Sequence, residues 1–188
     1  SRGLGDVYKR QAKNANLQRY AEAFSFLQSK NLYTVDDLDN ALHAMQDKID
    51  ALKKSASAKQ SRIKELDGLL RMVDYYKSGK PAADKLKSIR FEKSRQKYKS
   101  EHDNELRTFY MAERKLKPYF KDGKLPITAW RKERAQLEQE YRDIQTELSP
   151  LHANAKKLWA IHYNIYEVQH EQERQNIELR QKKQEIEH

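Results

Sequence analysis

The sequence predicts an all-α fold, an elongated antiparallel coiled-coil hairpin with smaller helices at its distal connector. Three observations carry that reading. Leu38, Leu42, Met45, Ile49, Leu52, Ala56, Lys59, Ile63, Leu66, Leu70 and Val73 follow one another in steps of four and three. The same register returns in Trp130, Arg134, Leu137, Tyr141, Ile144, Leu148, Leu151, Ala155, Leu158, His162 and Ile165. This 3.5-residue period keeps one seam of a helix facing a partner helix, and the nearest partner of each run is the other. At 1.5 Å per residue each run makes a rod of roughly 55 Å. Third, the 188 residues include only five Gly and four Pro, so few turns are available to break the chain up. With 35% charged and 37% hydrophobic residues, the helices have apolar faces too narrow for a compact globule, and heptad order is what lets them fold.

The elements follow in order. Ser1 to Gln11, SRGLGDVYKRQ, resembles a translated sequencing-adaptor artefact through the string GLGDVYKRQ, so residues 1–11 are expected to be non-native and the native chain to begin upstream. Leu17, Tyr20, Phe24 and Leu27 lie at helical spacing and predict a short first helix ending near Asn31. Thr34 is an N-cap, with Asp36 and Asp37 in the first turn, where the macrodipole favours negative charge. The long helix that follows is expected over about 35–77, stopping at Ser78-Gly79-Lys80-Pro81 as a C-cap glycine followed by a proline. Leu86, Ile89, Tyr98, Leu106, Phe109, Leu116 and Phe120 give a less regular helical pattern in the connector 78–127, with a break near Phe91 to Ser94. Asp122-Gly123 reads as a turn, and Thr128 as the N-cap of a second long helix over about 128–168. Pro150 falls inside that run, but Leu148 and Leu151 flank it in phase and predict a kinked continuous helix. The segment 169–188 reads as frayed helix or disorder, because Ile177, Leu179 and Ile186 are too sparse to form a seam.

Charge is unevenly placed. Residues 1–11 carry +2, 12–76 carry +1, 77–134 carry +10 and 135–188 carry −3. Between Lys77 and Lys99 stand nine Lys and Arg against only Asp84 and Glu92, with Tyr75, Tyr76, Phe91 and Tyr98 close in sequence. Lys85, Lys87, Arg90, Lys93, Arg95, Lys97 and Lys99 are the candidate nucleic-acid-binding residues, since clustered cations bind a phosphate backbone and aromatics stack on bases. The same cluster also fits a solvated face on helices that need solubility.

No catalytic constellation is visible. The chain has no cysteine, which excludes disulfides and Cys-based zinc sites. His43, His102, His152, His162, His170 and His188 form no H-x-H or H-E-x-x-H pair, so no metal and no cofactor is expected. Glu167-x-x-His170 has the spacing of half a bundle di-iron site, but the second such motif and two further glutamates are missing. Tyr163 and Tyr166 have nothing in the sequence to activate them as nucleophiles and read as packing residues. Trp130 and Trp159 read as core anchors near the hairpin ends. No apolar run approaches the ~20 residues needed to span a bilayer, which predicts a cytoplasmic protein without membrane insertion.

Four segments carry a resemblance: YAEAFSFLQSKNLYTVDDLDNAL (20–42), IKELDGLLRMVDYYKSGKP (63–81), KYKSEHDNELRTFYMAERKLK (97–117) and KLPITAWRKERAQLEQEYRDI (124–144). From Leu17 to Val168 the chain resembles the helical C-terminal region of relaxases, the mobilisation nucleases of bacterial integrative and conjugative elements. Such regions run short helix, long helix, Lys-rich connector, E-H-x-x-E-L helix and long helix after a Leu-Pro, with His102 and Glu105-Leu106 here at the matching positions. The nicking chemistry of that family lies in an N-terminal domain with a tyrosine nucleophile and a histidine metal cluster, so the resemblance carries no catalytic residue onto this chain. It implies a non-catalytic helical arm of a DNA relaxase in conjugative DNA mobilisation, with DNA and accessory or secretion-system proteins as partners. The alternative from the residues alone is a structural coiled-coil module for dimerisation or protein docking.

Overall fold

Thr34 starts the first long helix by the reciprocal bonding its sequence neighbours allow. The Asp37 N–H donates to Thr34 Oγ1 at 3.0 Å, and Asp37 Oδ2 accepts the N–H groups of Tyr33 and Thr34 at 3.1 Å each. In the computed structural model, which describes the backbone of residues 4–186 and the side chains of residues 17–186, the helices are α1 (Leu4–Ser29), α2 (Val35–Ser88), α3 (Glu92–Glu101), α4 (Asp103–Leu116) and α5 (Ile127–Ile186). A 3₁₀ turn, Lys117–Tyr119, follows α4. The fold is an all-α helical hairpin of α2 against α5, with no strand among the described residues. The N-terminal segment 1–11, set apart in the sequence as non-native, lies outside the residues whose side chains are described.

Two compact units are formed, one from Leu52–Thr146 and the other from the stretches on either side of it. In the flanking unit Leu38, Leu42 and Leu158 are buried together, with Phe26, Leu27, Leu32, Met45, Ile161 and Ile165 packed around them. Here α1 ends in a Schellman motif. Asn31 adopts φ 56°, the Leu32 N–H donates to Leu27 O at 3.0 Å and the Asn31 N–H to Gln28 O at 3.0 Å. The turn directs Leu27 and Leu32 into the same cluster. Of the residues whose spacing predicted the first helix, Leu17, Tyr20 and Phe24 are exposed, and Leu27 makes the contact together with Phe26. Trp159 is likewise about half exposed and is no core anchor, because the residue before it, Leu158, occupies the seam.

In the unit Leu52–Thr146, Leu66, Val73, Leu116 and Trp130 share one cluster, and Ala82, Ala83, Leu86, Leu106 and Phe109 another. Tyr76 joins them, its ring stacked on Phe109 at 5.0 Å and tilted against Phe120 at 5.7 Å. Ion pairs across α2 and α5 follow their antiparallel pairing: from Lys59 to Asp67 the partner moves back from Glu140 to Arg134, with Arg62 meeting Glu133 at 2.7 Å. In the flanking unit Asp39 meets His162 at 2.8 Å and Lys48 meets Glu147 at 2.9 Å, in the same sense. Every residue of both heptad runs is buried or half-buried.

Helix ends depart from the sequence expectation in three places. The first long helix does not stop at residue 77; α2 continues through Gly79 and Pro81 to Ser88. Gly79 is buried because α4 lies on it: a Cβ built there would sit 2.6 Å from Phe109 Cβ and 3.0 Å from the Glu105 carbonyl. The glycine therefore serves a close helix approach and not a C-cap. Pro81 and Lys77, whose carbonyl Pro81 cannot bond, both face water, so the lost hydrogen bond is replaced by solvent. Thr128 is not the cap of α5, since the Trp130 N–H already donates to Pro126 O at 3.0 Å and the helix begins at Ile127. The connector 78–127 is mostly helical, with a non-helical break at Ile89–Phe91, just before the expected position. Further on, α5 is continuous through Pro150, which is exposed, and its helix extends along the tail to Ile186. Asp122 (φ 50°) and Gly123 (φ 72°) form the predicted turn, closed by mutual bonds of 2.9 Å between Lys121 and Lys124.

Candidate nucleic-acid interface

The cationic residues gather where α2 gives way to α3. Lys85 and Lys87 occupy the last turn of α2, Arg90 lies in the break, and Lys93, Arg95, Lys97 and Lys99 ride on α3. The break arises because Ile89, Arg90 and Phe91 leave the helical path, Phe91 in extended backbone at φ −84°, ψ 126°, before the Arg95 N–H donates to Phe91 O at 2.9 Å to restart the helix. Helix α3 has no buried side chain of its own; Tyr98, half-buried, anchors it against the cluster of Leu86, Leu106 and Phe109.

All seven candidates except Arg95 are exposed. Arg95 is half-buried, and its Nη1 donates to the Ile89 carbonyl at 3.4 Å, which ties the break together. Lys85 Nζ stands 5.4 Å over the Tyr98 ring and Lys80 Nζ 5.8 Å over Tyr76, both within cation–π range. Lys97 reaches Glu101 at 3.9 Å and Lys80 reaches Asp84 at 3.8 Å. Among the described residues, no carboxylate pairs with Lys85, Lys87, Arg90, Lys93 or Lys99. Phe91 is 78% exposed in the middle of this cluster, an apolar ring with no hydroxyl to justify its contact with water.

His102 forms the joint between α3 and α4. Its N–H donates to Tyr98 O at 3.0 Å, its carbonyl accepts the Leu106 N–H at 3.0 Å, and its ring lies 4.2 Å from Tyr98. His102 Nδ1 is 3.7 Å from Glu105, so the E-H-x-x-E-L string acts locally as a helix-to-helix corner that seats Leu106 in the core. Sequence spacing did not single out Arg114 and Lys117, which line a groove of about 480 Å³ with Tyr76, Glu113 and Phe120. The signal that could have found them is the strong amphipathic order of α4, with Leu106, Phe109, Ala112 and Leu116 buried and the basic residues of its last turn outward.

No set of three His, Asp or Glu side chains converges as a metal site among the described residues. His170 of the Glu167-x-x-His170 pair lies 3.8 Å from Glu173 on the exposed outer turns of α5. Among the described residues no helix is long and apolar enough to cross a membrane. The cluster itself consists of exposed ammonium and guanidinium groups flanked by the aromatic rings of Phe91 and Tyr98, groups whose chemistry suits anions. Comparison of the chain with family models, with curated proteins and with solved structures returned no match.

Proposed function

We propose that this chain is a non-catalytic helical arm of a DNA relaxase acting in conjugative DNA mobilisation in the cytoplasm, and that its basic connector holds DNA by the phosphate backbone. The single observation that carries the binding part is the group Lys85, Lys87, Arg90, Lys93 and Lys99, which has no carboxylate partner among the described residues at the turn from α2 to α3. A phosphate chain passing this turn would meet five unneutralised cations within about fifteen residues of sequence, with Phe91 and Tyr98 among them. The mobilisation part rests on the resemblance of residues 17–168 to relaxase C-terminal regions. Sequence preference is expected to be weak, because the exposed groups suit phosphates and no base-reading helix pattern accompanies them.

Fluorescence anisotropy with a labelled DNA of arbitrary sequence at low salt tests the reading. The wild-type chain should bind, and replacing Lys93, Arg95, Lys97 and Lys99 together by Gln should weaken binding strongly while helical content is retained. Absence of binding by the wild-type chain would turn the connector into a solubilising or protein-docking face.

A further inference from the structure

Outside the basic turn, α5 presents a second stripe, one residue out of phase with the seam it turns toward α2. Trp159, Tyr163 and Tyr166 are 48%, 62% and 51% exposed there, and Ile177 further along is 53% exposed. Three large aromatics on one exposed helix face are rare unless something covers them. Tyr163, Tyr166, His170, Glu173, Ile177 and Arg180 advance in steps of three and four, so they share one face of the helix.

The order of residues in the stripe specifies what fits it. Laid against its own reverse, it sets Tyr163 opposite Arg180, Tyr166 opposite Ile177 and His170 opposite Glu173. These are a cation–π pair, an apolar pair and an imidazole–carboxylate pair whose two members also lie 3.8 Å apart within one helix. Laid against itself in parallel, it sets Glu173 on Glu173 and Arg180 on Arg180, which repels. The flanking Glu171 is already neutralised within its own helix by Arg174 at 3.1 Å. We infer that a second copy of this chain covers the stripe, α5 pairing antiparallel with α5 about a two-fold axis between His170 and Glu173. Tyr166 then packs on the Ile177 side chain of the other copy and the reverse, as an isologous interface requires.

Sedimentation equilibrium of the full chain, together with disulfide trapping, tests this. The wild-type chain should be a dimer at tens of micromolar, and Tyr163→Glu/Tyr166→Glu should be a monomer with the same helical content, since both side chains are exposed. Because the chain has no cysteine, Tyr166→Cys/Ile177→Cys gives a clean trap. Eleven residues of helix hold these two positions about 16 Å apart within one chain, too far for an internal disulfide, so oxidation should yield a covalent dimer. Tyr166→Cys alone should not crosslink. A wild-type chain that stays monomeric, or a Tyr166→Cys single variant that crosslinks as well as the double variant, overturns the antiparallel pair. Should the glutamate variant lose helicity, the trapping result alone decides.

Discussion

At Gly79 two effects of one methyl group oppose each other. Alanine is the better helix former by about 1 kcal/mol. Yet its Cβ would meet Phe109 Cβ at 2.6 Å and the Glu105 carbonyl at 3.0 Å, and neither is the loose end of a flexible side chain. Forcing α4 away from α2 should cost about 1–3 kcal/mol, so the net change is a loss, and thermal unfolding of Gly79→Ala should show a lowered Tm. At Gly68, in the same helix, an added Cβ would meet nothing within 4 Å, and Gly68→Ala should raise the Tm by the propensity difference. Lys59 offers a different residue-scale test. It is the cation on an otherwise apolar α2 seam, with its side chain 23% exposed and paired to a Glu140 that remains partly solvated. Removing such a half-exposed pair loses little, whereas Leu at this position adds apolar burial, so Lys59→Leu should melt higher than wild type. The carboxylate left behind keeps water contact and a bond from Gln136 at 3.0 Å, which is why no unpaired buried charge results.

Element by element, the seams of α2 and α5 were legible because burial alone sets them. Each heptad position that the sequence spaced at four and three is buried or half-buried, including Lys59, Arg134 and His162, whose polar ends find Glu140, Asp67 and Asp39 across the pair. Helix ends were less legible. Gly79-x-Pro81 has the spelling of a C-cap, but a contact from α4, about 30 residues onward, gives the glycine its role, and no local rule contains that contact. On α1 the spacing of Leu17, Tyr20, Phe24 and Leu27 announces a helix but not the side that packs, because only the Phe26 and Leu27 side lies against Leu38 and Leu158. Of the seven candidate cations, sequence located the cluster but not the difference between Arg95, spent on the Ile89 carbonyl, and its six exposed neighbours.

Pairing of α2 with α5 also predicts a pH dependence. A guanidinium bond from Arg62 holds the Glu133 carboxyl below its ordinary value of 4.5, and the Lys59 ammonium with the Gln136 amide does the same for Glu140. Backbone bonding by Tyr33 and the Thr34 hydroxyl lower Asp37 similarly. A carboxyl whose pKa is depressed by folding stabilises the folded state fully above its unfolded pKa and loses that contribution as pH falls through the folded one. The Tm should therefore be flat near neutrality and decline from about pH 5 downward, and Glu133→Gln should reduce the steepness of the decline. A Tm that rises on acidification would contradict this sign.

For the whole molecule, charge is the property that separates its parts. The net +10 equals the charge of residues 77–134, while residues 12–76 carry +1 and residues 135–188 carry −3. Near-neutral hairpin helices thus present one cationic turn, and a partner bound there by phosphates must release counterions as it docks. The most direct measurement is the salt dependence of DNA binding by the wild-type chain and by the Lys93, Arg95, Lys97 and Lys99 to Gln variant. With six or more phosphate contacts, affinity should fall by ~10³ or more between about 50 and 200 mM salt. Three of the four replaced side chains are exposed and Arg95 is engaged with Ile89, so the log–log slope should flatten by about three units in the variant. A wild-type chain that does not bind DNA at low salt, or a slope that the four replacements leave unchanged, would contradict the assignment of this turn to DNA.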